Sequence, residues 1–184
     1  MYNIFLTGEK GIGKTTIINK ILSRINCEAD GYTVKPIIEG TLKHFYITSI
    51  KDDAKKALMA TGDTTKRKII NIYGDSLNKF GTELVNNSVN TKDIIILDEI
   101  GFIESKCSNF KNSIINALNS NKIVIGVLKE FNGDFINSIK KREDVILFTV
   151  SEKNRDELPG VILNILTRRG DTNDSTCKKS SSYS

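Results

Sequence analysis

A glycine-rich octet closing on a lysine and a hydroxyl, Gly8-Glu9-Lys10-Gly11-Ile12-Gly13-Lys14-Thr15, fits the spacing G-x-x-x-x-G-K-[ST]. Such a run handles phosphate when it joins a strand to a helix, because loop amides and the first helical turn then aim unpaired N–H groups at an anion. The flanks supply that setting. Tyr2-Asn3-Ile4-Phe5-Leu6-Thr7 reads as a short buried strand, and Ile17, Ile18, Ile21, Leu22 and Ile25 recur at helical spacing. The nucleotide-binding candidates are Gly8, Glu9, Lys10, Gly11, Ile12, Gly13, Lys14, Thr15 and Thr16. Lys14 would bring a point charge to the β/γ oxygens, a catalytic as well as a binding role, and the Thr15 hydroxyl is suited to ligate Mg²⁺.

A second run, Asp93-Ile94-Ile95-Ile96-Leu97-Asp98-Glu99, is an apolar strand that ends in adjacent acids. Such a strand is buried on both faces, hence central and parallel, and in parallel sheets the ligand crevice lies beyond the carboxyl ends of the strands. Asp98 would there face the metal held by Thr15, and Glu99 would polarise a water for in-line attack on the γ-phosphate. A carboxylate next to the metal ligand favours hydrolysis over transfer to an acceptor. The alternatives are a nucleotide or small-molecule kinase and a nucleotide-dependent binding or switch protein. Asp98-Glu99-Ile100-Gly101 fits the D-x-x-G of GTPases, but Asn121-Lys122-Ile123-Val124 has valine where a guanine-reading N-K-x-D needs its acid. Cations for the transition state are sought at Arg67, Lys129, Arg142 and Arg155. Arg155, in Glu152-Lys153-Asn154-Arg155-Asp156 after the last strand, either borders the base or is solvated beside a capping box of Asn154 and Glu157. His44, the one histidine, reads as a surface residue.

The elements that must position these residues follow from periodicity. A first helix is predicted over 14–26, then a hairpin of Tyr32–Ile38 and Thr41–Ile50 turning at Glu39-Gly40, extending one sheet edge. Residues 51–72 show no sustained period and are the best candidate for a mobile lid, in which Lys66, Arg67 and Lys68 either approach the phosphates or form a solvated charge run. A helix capped by Asp75 carries Leu77, Phe80, Leu84 and Val85 on one face. Strands at 93–99, 122–128 and 145–150 then alternate with helices at Phe110–Leu118, at 131–141 and from about 154–159 to Arg169. The fold class is therefore α/β, a P-loop NTPase three-layer sandwich with a mostly parallel sheet, helices on both faces and an antiparallel hairpin at one edge. Residues 1–169 are expected to form one domain, and the polar 170–184 a disordered tail.

Composition narrows the class further. At 184 residues, 39% hydrophobic and 27% charged, the chain has the make-up of a globular protein. Its net charge of +5 comes without an arginine-rich block or base-stacking motif, which argues against nucleic acid as a partner. Cys27, Cys107 and Cys177 have neither zinc nor disulfide spacing and read as free thiols. Without a signal segment or an apolar run near the roughly 20 residues of a membrane span, the expectation is a cytoplasmic monomer whose partners are nucleoside triphosphates.

Together these residues resemble the small nucleoside-triphosphatases called the cancer-related nucleoside-triphosphatase family. The likeness rests on Thr7 to Thr16, Asp30-Gly31-Tyr32, Tyr73-Gly74, the run Leu97-Asp98-Glu99-Ile100-Gly101-Phe102-Ile103-Glu104, and Glu152 to Asp156, spanning Met1 to about Thr167. It implies an enzyme of broad specificity that splits nucleoside triphosphates to diphosphate and phosphate with Mg²⁺. By position Lys14 would bind phosphate, Thr15 and Asp98 would serve the metal, and Glu99 would activate water. The chain departs from the family at Lys10, where proline is frequent, and at Lys129-Glu130-Phe131, which lacks a basic pair.

Overall fold

Alternate residues of the central strands face opposite helical layers, and that division builds the core. In a computed structural model describing residues 3–167 and 178–179, β1 (Asn3–Thr7) is buried along its whole length. Ile4 and Leu6 pack with Ile94, Ile96, Ile125 and Val127 against α1 (Lys14–Leu22) and α6 (Leu158–Thr167), in one apolar cluster. Phe5, Ile95, Leu97 and Val124 point the other way, toward Val85, Phe110 and Ile114. The side-chain period of two thus gives each central strand two apolar faces, and helices cover both.

After α1 come β2 (Ile25–Asn26), β3 (Ala29–Glu39), β4 (Leu42–Ser49), β5 (Lys56–Asp63) and β6 (Lys68–Ile72). The helical run α2 (Gly74–Ser76), a π-turn (Leu77–Gly81) and α3 (Thr82–Thr91) leads to β7 (Ile94–Ile100), α4 (Ser108–Asn119), β8 (Ile123–Leu128), α5 (Asp134–Lys140) and β9 (Val145–Thr149). The eight-stranded sheet has the order β6-β5-β4-β3-β7-β8-β1-β9. From β3 through β7, β8 and β1 to β9 the pairing is parallel, and from β3 out to β6 it is antiparallel.

The antiparallel side corrects the sequence reading. Residues 51–72 are not a lid: β5 and β6 continue the hairpin into a four-stranded wing with β3 and β4. Bulges at Phe45/Tyr46 and Thr61/Gly62 break the period of two, which hides these strands from a pattern search. Their turn is held by the Asp63 carboxylate, which accepts from the amides of Thr65 and Lys66 at 2.8 and 3.0 Å. The first strand of the hairpin is also more than an edge element, since 29–33 of β3 pair in parallel with 94–98 of β7. Gly31 makes that pairing possible: at φ 139° a Cβ would lie 2.0 Å from the Ile96 carbonyl oxygen.

Smaller differences concern ends and thiols. Asp75 makes no cap; Tyr73 holds that position, and Asp75 pairs with Lys79 at 3.7 Å. Cys107 is a buried free thiol, whereas Cys27 is disulfide-bonded, because spacing along the chain does not limit which cysteines a fold brings together. Most of the expected tail at 170–184 lies outside the described residues; within it, β10 (Lys178–Lys179) pairs antiparallel with β2. Among the described residues no helix is long and apolar enough to cross a membrane.

Candidate active site

The turn from β1 into α1 is built on left-handed backbone. Gly8, Gly11 and Gly13 have φ of 133°, 83° and 110°, a region that side chains with a Cβ rarely enter. Gly13 is the N-cap of α1, so Lys14, Thr15 and Thr16 lie in the first turn, where amides lack helical partners. Lys14 Nζ donates to the carbonyls of Gly8 and Glu9, both at 2.7 Å, which folds the lysine along its own loop. Ile12 sits half-buried against the apolar layer beneath α1, and its amide donates to the Glu9 carbonyl at 3.3 Å. Glu9 and Ile12 therefore contribute backbone structure to the loop.

β8 separates β7 from β1, yet β7 brings its acids to this loop. Thr15 Oγ1 donates to Asp98 Oδ2 at 2.8 Å, and Thr33 Oγ1, from the paired β3, donates to the same oxygen at 3.3 Å. Burial pushes the Asp98 carboxyl above its usual range and the neighbouring Glu99 adds to this; the hydroxyls of Thr15 and Thr33 and the charge of Lys14 oppose it. A hydroxyl and a carboxylate in contact are hard oxygen donors. Among the described residues there is no group of three or more His, Cys, Asp or Glu able to hold a metal ion. Thr15 and Asp98 are thus the residues that could hold a hard divalent cation here.

Glu99 does not end its strand, as the sequence pattern implied, because β7 continues to Ile100. Its carboxylate forms an ion pair with Lys129, just beyond β8, and its carbonyl accepts from Tyr32 Oη at 3.2 Å. Behind it lies a second acid. Glu104 is 1% exposed, its Oε2 accepts the Gly101 amide at 2.8 Å, and burial pushes its carboxyl up to about 7 against the opposing charge of Lys129. The loop after β7 is thereby tied to a buried carboxyl close to Tyr32 and Glu99.

Gly13, Lys14, Thr15, Asp98 and Glu99 line one hollow of about 750 Å³, so the loop and both acids share a cavity. The other sequence candidates divide. Arg155 and Asp156 face Gly11, Gly13 and Thr16 across a second hollow of about 310 Å³. Asn154 makes no capping box: its Oδ1 accepts the Ser151 amide at 2.8 Å and its Nδ2 donates to the Thr149 carbonyl at 2.9 Å, which fixes the loop that carries Arg155. Arg142 is drawn away, bonded to Asp144 at 2.7 Å and to Asn119 at 2.9 Å near the opposite sheet edge. Arg67, at φ 50°, lies in the β5–β6 turn and does not line either hollow. His44 points away from the cavity, toward Thr61 at 3.3 Å.

Sequence reasoning passed over Lys43, Phe45, Phe102 and Phe131, all of which line the larger hollow. The signal for Lys43 and Phe45 was present, since alternation along β4 puts both on one face. Phe102 and Phe131 meet edge to face with centroids 5.4 Å apart, a contact between loops that no local pattern encodes.

Comparison with known proteins matches residues 3–163 to a family described as NTPase. The chain belongs to the NTPase family. Similar proteins include nucleoside-triphosphatase THEP1 of Thermotoga maritima, 33% identical over 89% of this chain and 94% of that protein. THEP1 of Thermotoga petrophila is 34% identical over 93% and 97%. Among solved structures, THEP1 of Aquifex aeolicus superposes with a TM-score of 0.68 at 20% identity, covering 89% of this chain and 98% of that one. The solution structure of a human cancer-related nucleoside triphosphatase gives 0.68 at 20% identity over 95% and 100%. At that identity the two structures speak for the fold, and the NTPase-family α/β architecture expected from the sequence is borne out, as is the resemblance drawn from D-E-I-G-x-x-E.

Proposed function

We propose that the chain is a Mg²⁺-dependent nucleoside-triphosphatase, splitting ATP, GTP and other nucleoside triphosphates to diphosphate and phosphate. The observation that carries the reading is the Thr15–Asp98 hydrogen bond of 2.8 Å, which joins the phosphate loop to the acidic strand inside one cavity. The names of the relatives point to the same reaction class.

In this reading the amides from Gly11 to Thr16 cradle the phosphates, Lys14 shifts from its own loop to the β/γ oxygens, and Arg155 borders the base. Thr15 and Asp98 would hold Mg²⁺, which would supply neutralisation of charge on the phosphate oxygens. Lys129 orients the Glu99 carboxylate, which takes a proton from water as its oxygen forms a bond to the γ-phosphorus. The bond from the γ-phosphorus to the bridging oxygen breaks, and its electron pair leaves on the β-phosphate. The Phe102–Phe131 pair lines the cavity and would keep bulk water from the reacting phosphate.

Phosphate release from ATP, GTP, CTP and UTP, with Mg²⁺ and then with excess chelator, tests this directly. Release without any added acceptor, lost on chelation, is the expected result. Phosphate appearing only on an added hydroxyl compound would instead make the chain a kinase.

A further inference from the structure

Alternation along the wing sends Lys43 and Phe45 of β4 to the same face as Val34 and Pro36 of β3, and that face borders the hollow above the phosphate loop. Lys10 from the loop itself and Lys129 line the same hollow, and the charges of both act on Lys43. Its stem is steadied by Phe45, whose ring centroid is 5.2 Å from the ammonium. Burial holds the Lys43 ammonium below the usual lysine range; Lys10 and Lys129 push the same way, and Glu99 opposes them. Of the nearby charges Glu99 is the only anion in that balance, and it is already paired with Lys129. Cations gathered from a loop, a wing strand and the end of β8 repel one another, so an entering anion is drawn by all of them. The loop amides suit a polyphosphate, and the hollow they share with Lys10 and Lys43 would be open to its outer end.

We propose that Lys43, with Lys10 beside it, grips the terminal phosphate of the bound nucleoside triphosphate, so that the antiparallel wing completes a phosphate site the strand-loop-helix unit leaves open. The inference rests on the nucleotide reading of the cavity, and it assigns to β4 the in-chain cation that Arg67 and Arg142 do not supply. It also gives the wing a purpose in the reaction: triphosphate is distinguished from diphosphate by a contact only the longer ligand can make.

The test measures the affinity of the wild-type chain, Lys43→Met and Lys43→Arg for a nucleoside diphosphate and for a non-hydrolysable triphosphate analogue, together with kcat and KM for phosphate release. Methionine keeps the stem over Phe45 and removes the charge. In Lys43→Met, analogue affinity and kcat/KM fall about tenfold or more while diphosphate affinity stays within about twofold, and Lys43→Arg recovers most of the loss. An unchanged preference for triphosphate in Lys43→Met overturns the proposal, and so does an equal loss for diphosphate. A wild-type chain that binds nucleotide but releases no phosphate overturns the hydrolytic reading alone, and the affinity ratio still decides Lys43.

Discussion

Glu104 carries the sharpest consequence of burial at the scale of a single residue. Its carboxyl, raised from 4.5 to about 7 by burial, keeps its proton in the folded chain over a range where the unfolded chain has lost it. The stability this contributes is fully present below pH 4.5 and is lost as pH rises through about 7. Unfolding free energy should therefore fall by on the order of 3 kcal/mol across that interval. Glu104→Gln, which keeps an oxygen for the Gly101 amide and cannot ionise, should remove most of the fall; denaturant titrations from about pH 5 to about pH 8 measure it. A variant with the wild-type slope would mean the proton resides elsewhere. At this scale much was legible. The spacing from Gly8 to Thr15 and the pair Asp98-Glu99 located the cavity, because each motif carries its chemistry in consecutive residues. Lys43, Thr33 and the Tyr32 hydroxyl were not found, since each acts through a partner that only strand pairing supplies.

β3 is the element that joins the halves of the sheet, parallel to β7 from Ala29 to Thr33 and antiparallel to β4 from Tyr32 to Glu39. Its course depends on Gly31, where both φ and the 2.0 Å approach of Ile96 O exclude a side chain. Gly31→Ala should cost about 2 kcal/mol or more, read from the urea midpoint, and should loosen Tyr32 and Thr33 beneath the acids. If the midpoint does not move, the β3–β7 pairing is more tolerant than this geometry allows. The central strands were readable because burial on both faces leaves an unbroken apolar run in Ile94-Ile95-Ile96-Leu97. β5 was not, because Ala57, Ala60, Thr61 and Gly62 carry little pattern and bulges interrupt what there is. Its order comes from pairing with β4 and β6, a non-local cause that no window of sequence contains.

Across the whole molecule, the loops after β1, β7 and β8 emerge at the same sheet edge, where a parallel sheet opens its ligand crevice. The NTPase-family core thus brings the glycine-rich loop, the acids and Lys129 to one hollow, and Lys43 of the wing lines it with them. In the proposed reaction Glu99, one residue beyond the carboxylate bonded to Thr15, prepares the attacking water. The most direct test is single-turnover phosphate release by Glu99→Gln beside the wild-type chain, with nucleotide affinity measured in parallel. Release by the variant should slow about a hundredfold or more with affinity nearly unchanged. Release by Glu99→Gln at the wild-type rate would contradict it.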